Sequence, residues 1–195
     1  MFSTELRVAL SPERTYRKLL AQEGHAPWWK VSARPALLVV IMGIVMPMMA
    51  FHRVTFGLAI LSAAWWSVAV VMECIGATCI IASAGTRQVG IMRALDLWFA
   101  GYLPFGLWLL TLPIATMSSL IPALDLISIM AVVPLIWTAF IAAAYCRTVL
   151  GTSRTGALCR TGLHLAAVVI VASTLFVISA GGGIAVWSYV MRRLT

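Results

Sequence analysis

The chain has 195 residues, of which 62% are hydrophobic and 10% charged, and its mean hydropathy is +1.00. Soluble domains are nearer half apolar and a quarter charged, so this composition excludes an ordinary water-soluble globule. Fourteen Lys and Arg against six Asp and Glu give a formal charge of +8. In a soluble protein that balance would suggest nucleic acid. Here the long apolar runs make membrane lipid the expected partner instead, and the fold class is an all-α integral membrane bundle.

Residues 1–34 form a polar cytoplasmic segment ahead of the membrane domain at 35–195. Ser11, Pro12 and Glu13 make a helix start: a capping hydroxyl, a proline suited to the first helical position, and an acid at the positive end of the dipole. Gly24 is a plausible stop. Tyr16, Leu19 and Leu20 share one face, while Arg14, Arg17 and Lys18 place positive charge elsewhere. This pattern predicts a short amphipathic helix on the membrane surface, near anionic headgroups, with Trp28, Trp29 and Lys30 as an interfacial anchor. A docking surface for a partner is the functional alternative. The segment lacks the apolar stretch of a cleavable signal peptide, so the first span itself is expected to direct insertion.

A hydrocarbon core of about 30 Å needs roughly 20 helical residues. Five stretches reach or approach that length, at 35–51, 56–84, 94–117, 123–146 and 163–190. Unbroken apolar runs rather than alternating patterns point to helices, not barrel strands. Lys and Arg number six before the first span, then one, two, none and three in the successive loops, and two in the tail. With the N-terminus inside, eleven lie on the cytoplasmic side and three outside, so the charge bias favours an N-in, C-out topology. The localisation expected is an integral membrane one with the N-terminus cytoplasmic. Cys74, Cys79, Cys146 and Cys159 fall in spans or near cytoplasmic ends, where thiols stay reduced, so no disulfide is expected.

Glu73 is the most conspicuous residue, because an acid well inside a span is costly unless paired or protonated. At 3.6 residues per turn it shares a face with Trp66, Ala69, Gly76 and Ala77, opposite Leu61, Val68, Val71 and Ile75. That arrangement turns Glu73 into the bundle, on a side where small residues such as Gly76 and Ala77 admit another helix. Its expected partners are an arginine at the cytoplasmic end of the third span, a helix hydroxyl, or a residue of another subunit. Three roles stay open: an interhelical hydrogen bond, a subunit contact, or an acid that carries a proton or ion. Arg87 and Arg93 are the cationic neighbours considered, and Arg93 and Asp96, three apart, can pair along one helix. Arg147, Arg154 and Arg160 form a basic cytoplasmic cluster able to hold lipid headgroups, although topology alone accounts for them.

Prolines and the Gly181-Gly182-Gly183 run are read as packing or kink features, and Trp65, Trp98, Trp108, Trp137 and Trp187 as packing or interfacial residues. The sequence contains no Cys-x-x-Cys, no His-Glu-x-x-His and no phosphate-binding Gly-Lys-Ser/Thr loop. His52 and His164 are expected near opposite membrane faces, too far apart to share a metal. No catalytic site, metal or cofactor is therefore expected.

Three stretches, in order, carry a family resemblance. Leu10-Ser11-Pro12-Glu13-Arg14-Thr15-Tyr16 is followed by Gly85-Thr86-Arg87-Gln88 leading into Ala100-Gly101-Tyr102-Leu103-Pro104, and then by Leu150-Gly151-Thr152-Ser153-Arg154-Thr155-Gly156-Ala157. Together they resemble the Yip family, membrane proteins named for interaction with Rab-type GTPases. The resemblance implies five helices, N-in and C-out, with Gly101, Tyr102 and Pro104 as helix-packing positions. The Asp-Leu-Tyr-Gly-Pro motif of eukaryotic members is absent and the N-terminal region is short, so binding of a Rab-type GTPase is not implied and the prokaryotic type is. The prokaryotic type that the resemblance implies makes the expected localisation the bacterial cytoplasmic membrane. The leading functional expectation is a non-enzymatic scaffold or accessory subunit, packed against other integral membrane proteins or itself. The alternative is a small channel or transporter using a protonatable Glu73.

Overall fold

The computed structural model describes residues 2–22, 27–84, 89–117 and 123–194, with side chains described for these except at 2, 30, 50, 114–131, 176 and 179–194. The described chain is helical, with no strand. Its helices are α1 (Phe2–Leu10), α2 (Pro12–Leu20), α3 (Trp28–Phe51), α4 (Phe56–Ser83), α5 (Ile91–Phe99), α6 (Leu103–Met117), α7 (Ala123–Thr148) and α8 (Arg154–Leu194), and a 3-10 turn at Ala100–Tyr102 joins α5 to α6. Among the described residues four stretches are long and apolar enough to cross a membrane: Val31–Met49, Phe56–Ser83, Ile91–Pro113 and Arg154–Leu175. The molecule is consistent with an integral membrane protein.

Several boundaries differ from the hydropathy reading. The helix of the first span begins at Trp28 rather than Pro35, which lies inside it as the eighth residue and leaves the Val31 carbonyl without its helical N–H donor. That of the last begins at Arg154 rather than Leu163, where Ser153 caps it by accepting from Gly156 N at 3.1 Å. The third span is broken by the 3-10 turn immediately before Pro104, whose ring nitrogen has no proton for the Ala100 carbonyl.

The packing order is cyclic: α3 lies against α4, α4 against α8, α8 against α7, α7 against α6, and α6 against α3. Helix α5 touches α3, α4 and α7 from within, and Leu97, Trp98, Phe99 and Ala100 are buried. Outward positions are mostly branched aliphatics, among them Leu61, Val71, Ile75, Val133, Leu163 and Ile170. Such a surface suits lipid chains, which exact no penalty for exposed hydrocarbon.

The N-terminal helices are more deeply engaged than a surface helix. Tyr16 of α2 is fully buried and sets its ring edge-on to Tyr145 of α7 at 5.6 Å. Helix α1, a second helix ahead of the one read from Ser11-Pro12, buries Val8 and Ala9, and Trp137 donates to the Ala9 carbonyl at 2.9 Å. Arg14, Arg17 and Lys18 remain exposed on the other side of α2.

Candidate functional site

Helix α4 buries Trp66, Val70, Glu73, Ala77 and Ile81, spaced four, three, four and four apart, and exposes Leu61, Val68, Val71 and Ile75. This is the 3.6-residue stripe, and it carries the Glu73 carboxyl inward. Glu73 Oε1 is met from three elements. Trp98 of α5 donates its indole N–H at 3.0 Å, the Tyr102 hydroxyl of the 3-10 turn donates to the same oxygen, and His164 Nε2 of α8 lies at 2.9 Å. With Trp98 and Tyr102 both donating, the consistent tautomer assignment has His164 donating from Nε2–H to a carboxylate oxygen. Glu73, Trp98 and His164 are each more than nine-tenths buried. The second carboxyl oxygen, Oε2, is buried without a hydrogen-bond partner.

The walls hold these groups in place. Trp98 stands edge-on to His164 at 5.0 Å and to Tyr145 at 5.1 Å, while the Tyr145 hydroxyl donates to the Ala94 carbonyl at 2.9 Å. Gly76 sits beneath the imidazole: a Cβ there would lie 3.2 Å from His164 Nδ1. At Gly101 a Cβ would meet Ile141 Cγ2 at 2.7 Å and the Tyr16 hydroxyl at 3.1 Å, so its lack of a side chain lets α2 and α7 close on the 3-10 turn. Ala77 and Pro104 are buried. Tyr102 is therefore a polar member of the site as well as a packing residue. Beside the cluster runs a groove of about 240 Å³, bounded by Leu38 and Met42 of α3, Val70 and Glu73 of α4, Phe105 of α6, and His164, Val171 and Ala172 of α8.

Arg93 and Asp96 belong to a different cluster, nearer the N-terminal ends of α3 and α5. Arg34 donates to Glu5 Oε1 at 2.8 and 2.9 Å and pairs with Asp96, while Arg93 lies 3.3 Å from the other Asp96 oxygen and donates to the Leu19 carbonyl at 3.3 Å. The network ties α1, α2, α3 and α5 together. The expectation that an arginine of the third span serves Glu73 is thus replaced: Arg93 faces Asp96, and a helix hydroxyl, with an indole and an imidazole, serves Glu73.

Of the basic cluster, Arg147 is half exposed and pairs with Glu13 at 2.9 Å, Arg160 donates to the Ser83 carbonyl at 3.2 Å, and Arg154 is exposed. Trp28 and Trp29 are largely exposed, in keeping with an interfacial position. Arg87 and the Lys30 side chain lie outside the described residues. Burial pushes the Tyr16 phenol well above its ordinary range, with the neighbouring Cys146 adding to the effect.

His164, Trp98, Glu5 and Arg34 are the functional neighbours that sequence reasoning missed. His164 is corrected most: it lies ten residues into α8, inside the bundle rather than at a membrane face. No family model matches the chain, and neither a curated protein nor a solved structure matches it.

Proposed function

We propose that this chain is a non-enzymatic integral membrane protein of five spans, N-in and C-out, that exchanges a small solute or ion at an interior site centred on Glu73. The carrying observation is a buried carboxyl with one oxygen held by three donors and the other unpartnered, in the wall of a groove between α4 and α8. A group held solely for packing is best served when both oxygens are satisfied, whereas an intramembrane acid with spare acceptor capacity suits exchange. Helix α7, at 26 residues, is long enough to serve as the fifth span, and the Yip-like stretches fit the same plan.

The outward aliphatic faces favour a bundle solvated by lipid over an accessory subunit. That second reading retains the largely exposed Trp28 and Trp29 as contacts for a membrane partner.

Reconstitution in proteoliposomes tests the proposal. The wild type should carry proton or cation flux above protein-free vesicles, and Glu73→Gln should abolish it while preserving the helical circular-dichroism spectrum. Absence of wild-type flux, or full flux in Glu73→Gln, overturns the transport reading. A stoichiometric membrane partner recovered in mild detergent, together with absent flux, moves the assignment to accessory subunit.

A further inference from the structure

We infer that a small cavity between α2, α7, α8 and the 3-10 turn binds a water molecule, held by the Tyr16 and Thr138 hydroxyls on the Tyr102 and His164 side of the Glu73 cluster. The inference does not depend on exchange at Glu73. Tyr16, Gly101, Tyr102, Thr138, Ile141 and His164 are among the lining residues. The volume of about 20 Å³ exceeds the roughly 10–15 Å³ that one water needs, and it is far below the roughly 150 Å³ of a cavity that holds benzene. Size therefore admits water and excludes an organic ligand.

The polar groups call for a water. Tyr16 has no exposed surface and Thr138 is 8% exposed, and neither hydroxyl has a hydrogen-bond partner among the described residues. Tyr16 Oη stands beside Gly101, where a Cβ would lie 3.1 Å from it, and both residues line the cavity. Thr138 belongs to one face of α7 with Ile141, Ala142 and Tyr145, all of which line the cavity too. Thr78, Thr148 and Thr174 each donate to the carbonyl four residues back, at 2.7, 2.7 and 2.8 Å. Thr138 makes no such bond. Buried hydroxyls are rarely left bare, because losing water without a replacement partner is costly. One water donates to the first of these hydroxyls and accepts from the second.

An ion suits the cavity less well. Among the described residues no Asp, Glu, Lys or Arg lines it, so a buried ion would lack a countercharge. Water carries no such penalty. The Tyr102 hydroxyl, which donates to Glu73, keeps lone pairs for a further hydrogen bond. Tyr102 and His164 also line the groove between α4 and α8, so the two cavities share that wall. The water thus joins the N-terminal hairpin to α7 and places a polar molecule beside the Glu73 cluster, on the side of α2 and α7.

Brief X-ray irradiation of the full chain in phosphatidylcholine nanodiscs tests the inference, because radiolysis of a bound water yields a hydroxyl radical that oxidises the side chains touching it. Residue-resolved mass spectrometry should find Tyr16 oxidised although it has no exposed surface, and Phe99, buried outside the cavity, unmodified. Thr138→Val keeps the side-chain shape and deletes the hydroxyl, so it should slow Tyr16 oxidation severalfold. Thr138→Ser should keep the wild-type rate. Unoxidised Tyr16, equal oxidation of Phe99, or a wild-type rate in Thr138→Val overturns the inference. Solid-state NMR of the wild type with isotope-labelled tyrosine and phenylalanine covers the case in which Thr138→Val fails to fold. Polarisation from water should reach the Tyr16 ring ahead of the Phe99 ring, and absent or equal transfer overturns the inference.

Discussion

Oε1 of Glu73 gathers an indole, a phenol and an imidazole, and the three donors do not contribute equally when lost. Interhelical hydrogen bonds in membranes average well under 1 kcal/mol and reach about 1.7, because the unfolded chain in lipid also finds partners. Trp98→Phe keeps an aromatic ring against Tyr145 and His164 while deleting the N–H, so it isolates one bond. The expected cost is about 1 kcal/mol, read as a shifted midpoint in reversible mixed-micelle unfolding followed by circular dichroism. An unchanged midpoint would mean that the Trp98 contact is packing alone. Arg34 stands differently. Its guanidinium lies between Glu5 and Asp96 with all three side chains nearly buried, and removing it leaves the Glu5 carboxyl without its ion pair and Asp96 with Arg93 alone. Breaking one partner out of such a buried network costs about 3–5 kcal/mol, so Arg34→Met should destabilise far more than Trp98→Phe in the same assay.

At the scale of helices, the α3–α4 pair rests on one glycine. A Cβ at Gly43 would stand 2.9 Å from both the Ala59 carbonyl oxygen and Ala63 Cβ, and the first of these is backbone that cannot turn aside. Close approach of small residues is what holds membrane helices together once the hydrophobic effect is spent on insertion. Gly43→Leu should therefore separate α3 from α4 and cost about 1–3 kcal/mol by overpacking. Gly57→Leu, where a Cβ meets nothing within 4 Å, should leave the unfolding midpoint unchanged in the same titration. The elements also mark what sequence reading reaches. The inward face of α4 was legible because helical periodicity is local, whereas the 3-10 break before Pro104 was not, since that proline was read as a packing position in an unbroken span. The partners of Glu73 were not, since Trp98, Tyr102 and His164 lie 25, 29 and 91 residues away. His164 was misplaced because hydropathy delays the last span to Leu163, whereas a helix accepts the polar residues from Arg154 onward at little cost. Burial of α1 and α2 was hidden for a similar reason: Phe2–Leu10 mixes charged and apolar residues, and only the Tyr16–Tyr145 contact reveals where the hairpin packs.

For the whole molecule, the number of crossings and the side of each loop are one question of parity. Four described stretches meet the length and hydropathy of a span, and α7 is the fifth helix whose crossing decides the rest. The loops at 52–55 and 149–153 both have exposed positions, Arg53 and Ser153, suited to a cysteine probe in a chain freed of its own four thiols. With the N-terminus inside and five crossings, Arg53→Cys should react with a membrane-impermeant maleimide on intact cells. Ser153→Cys should react only after permeabilisation, and a tag after Thr195 should be accessible from outside. If α7 stays on one side, Arg53→Cys still labels, but Ser153→Cys becomes reactive from outside and the tag becomes protected. Reversal of all three sites would keep five crossings and overturn the charge argument instead. The expected pattern follows from the distribution of arginine: eleven cationic residues fall inside and three outside only when both the N-in orientation and the α7 crossing hold.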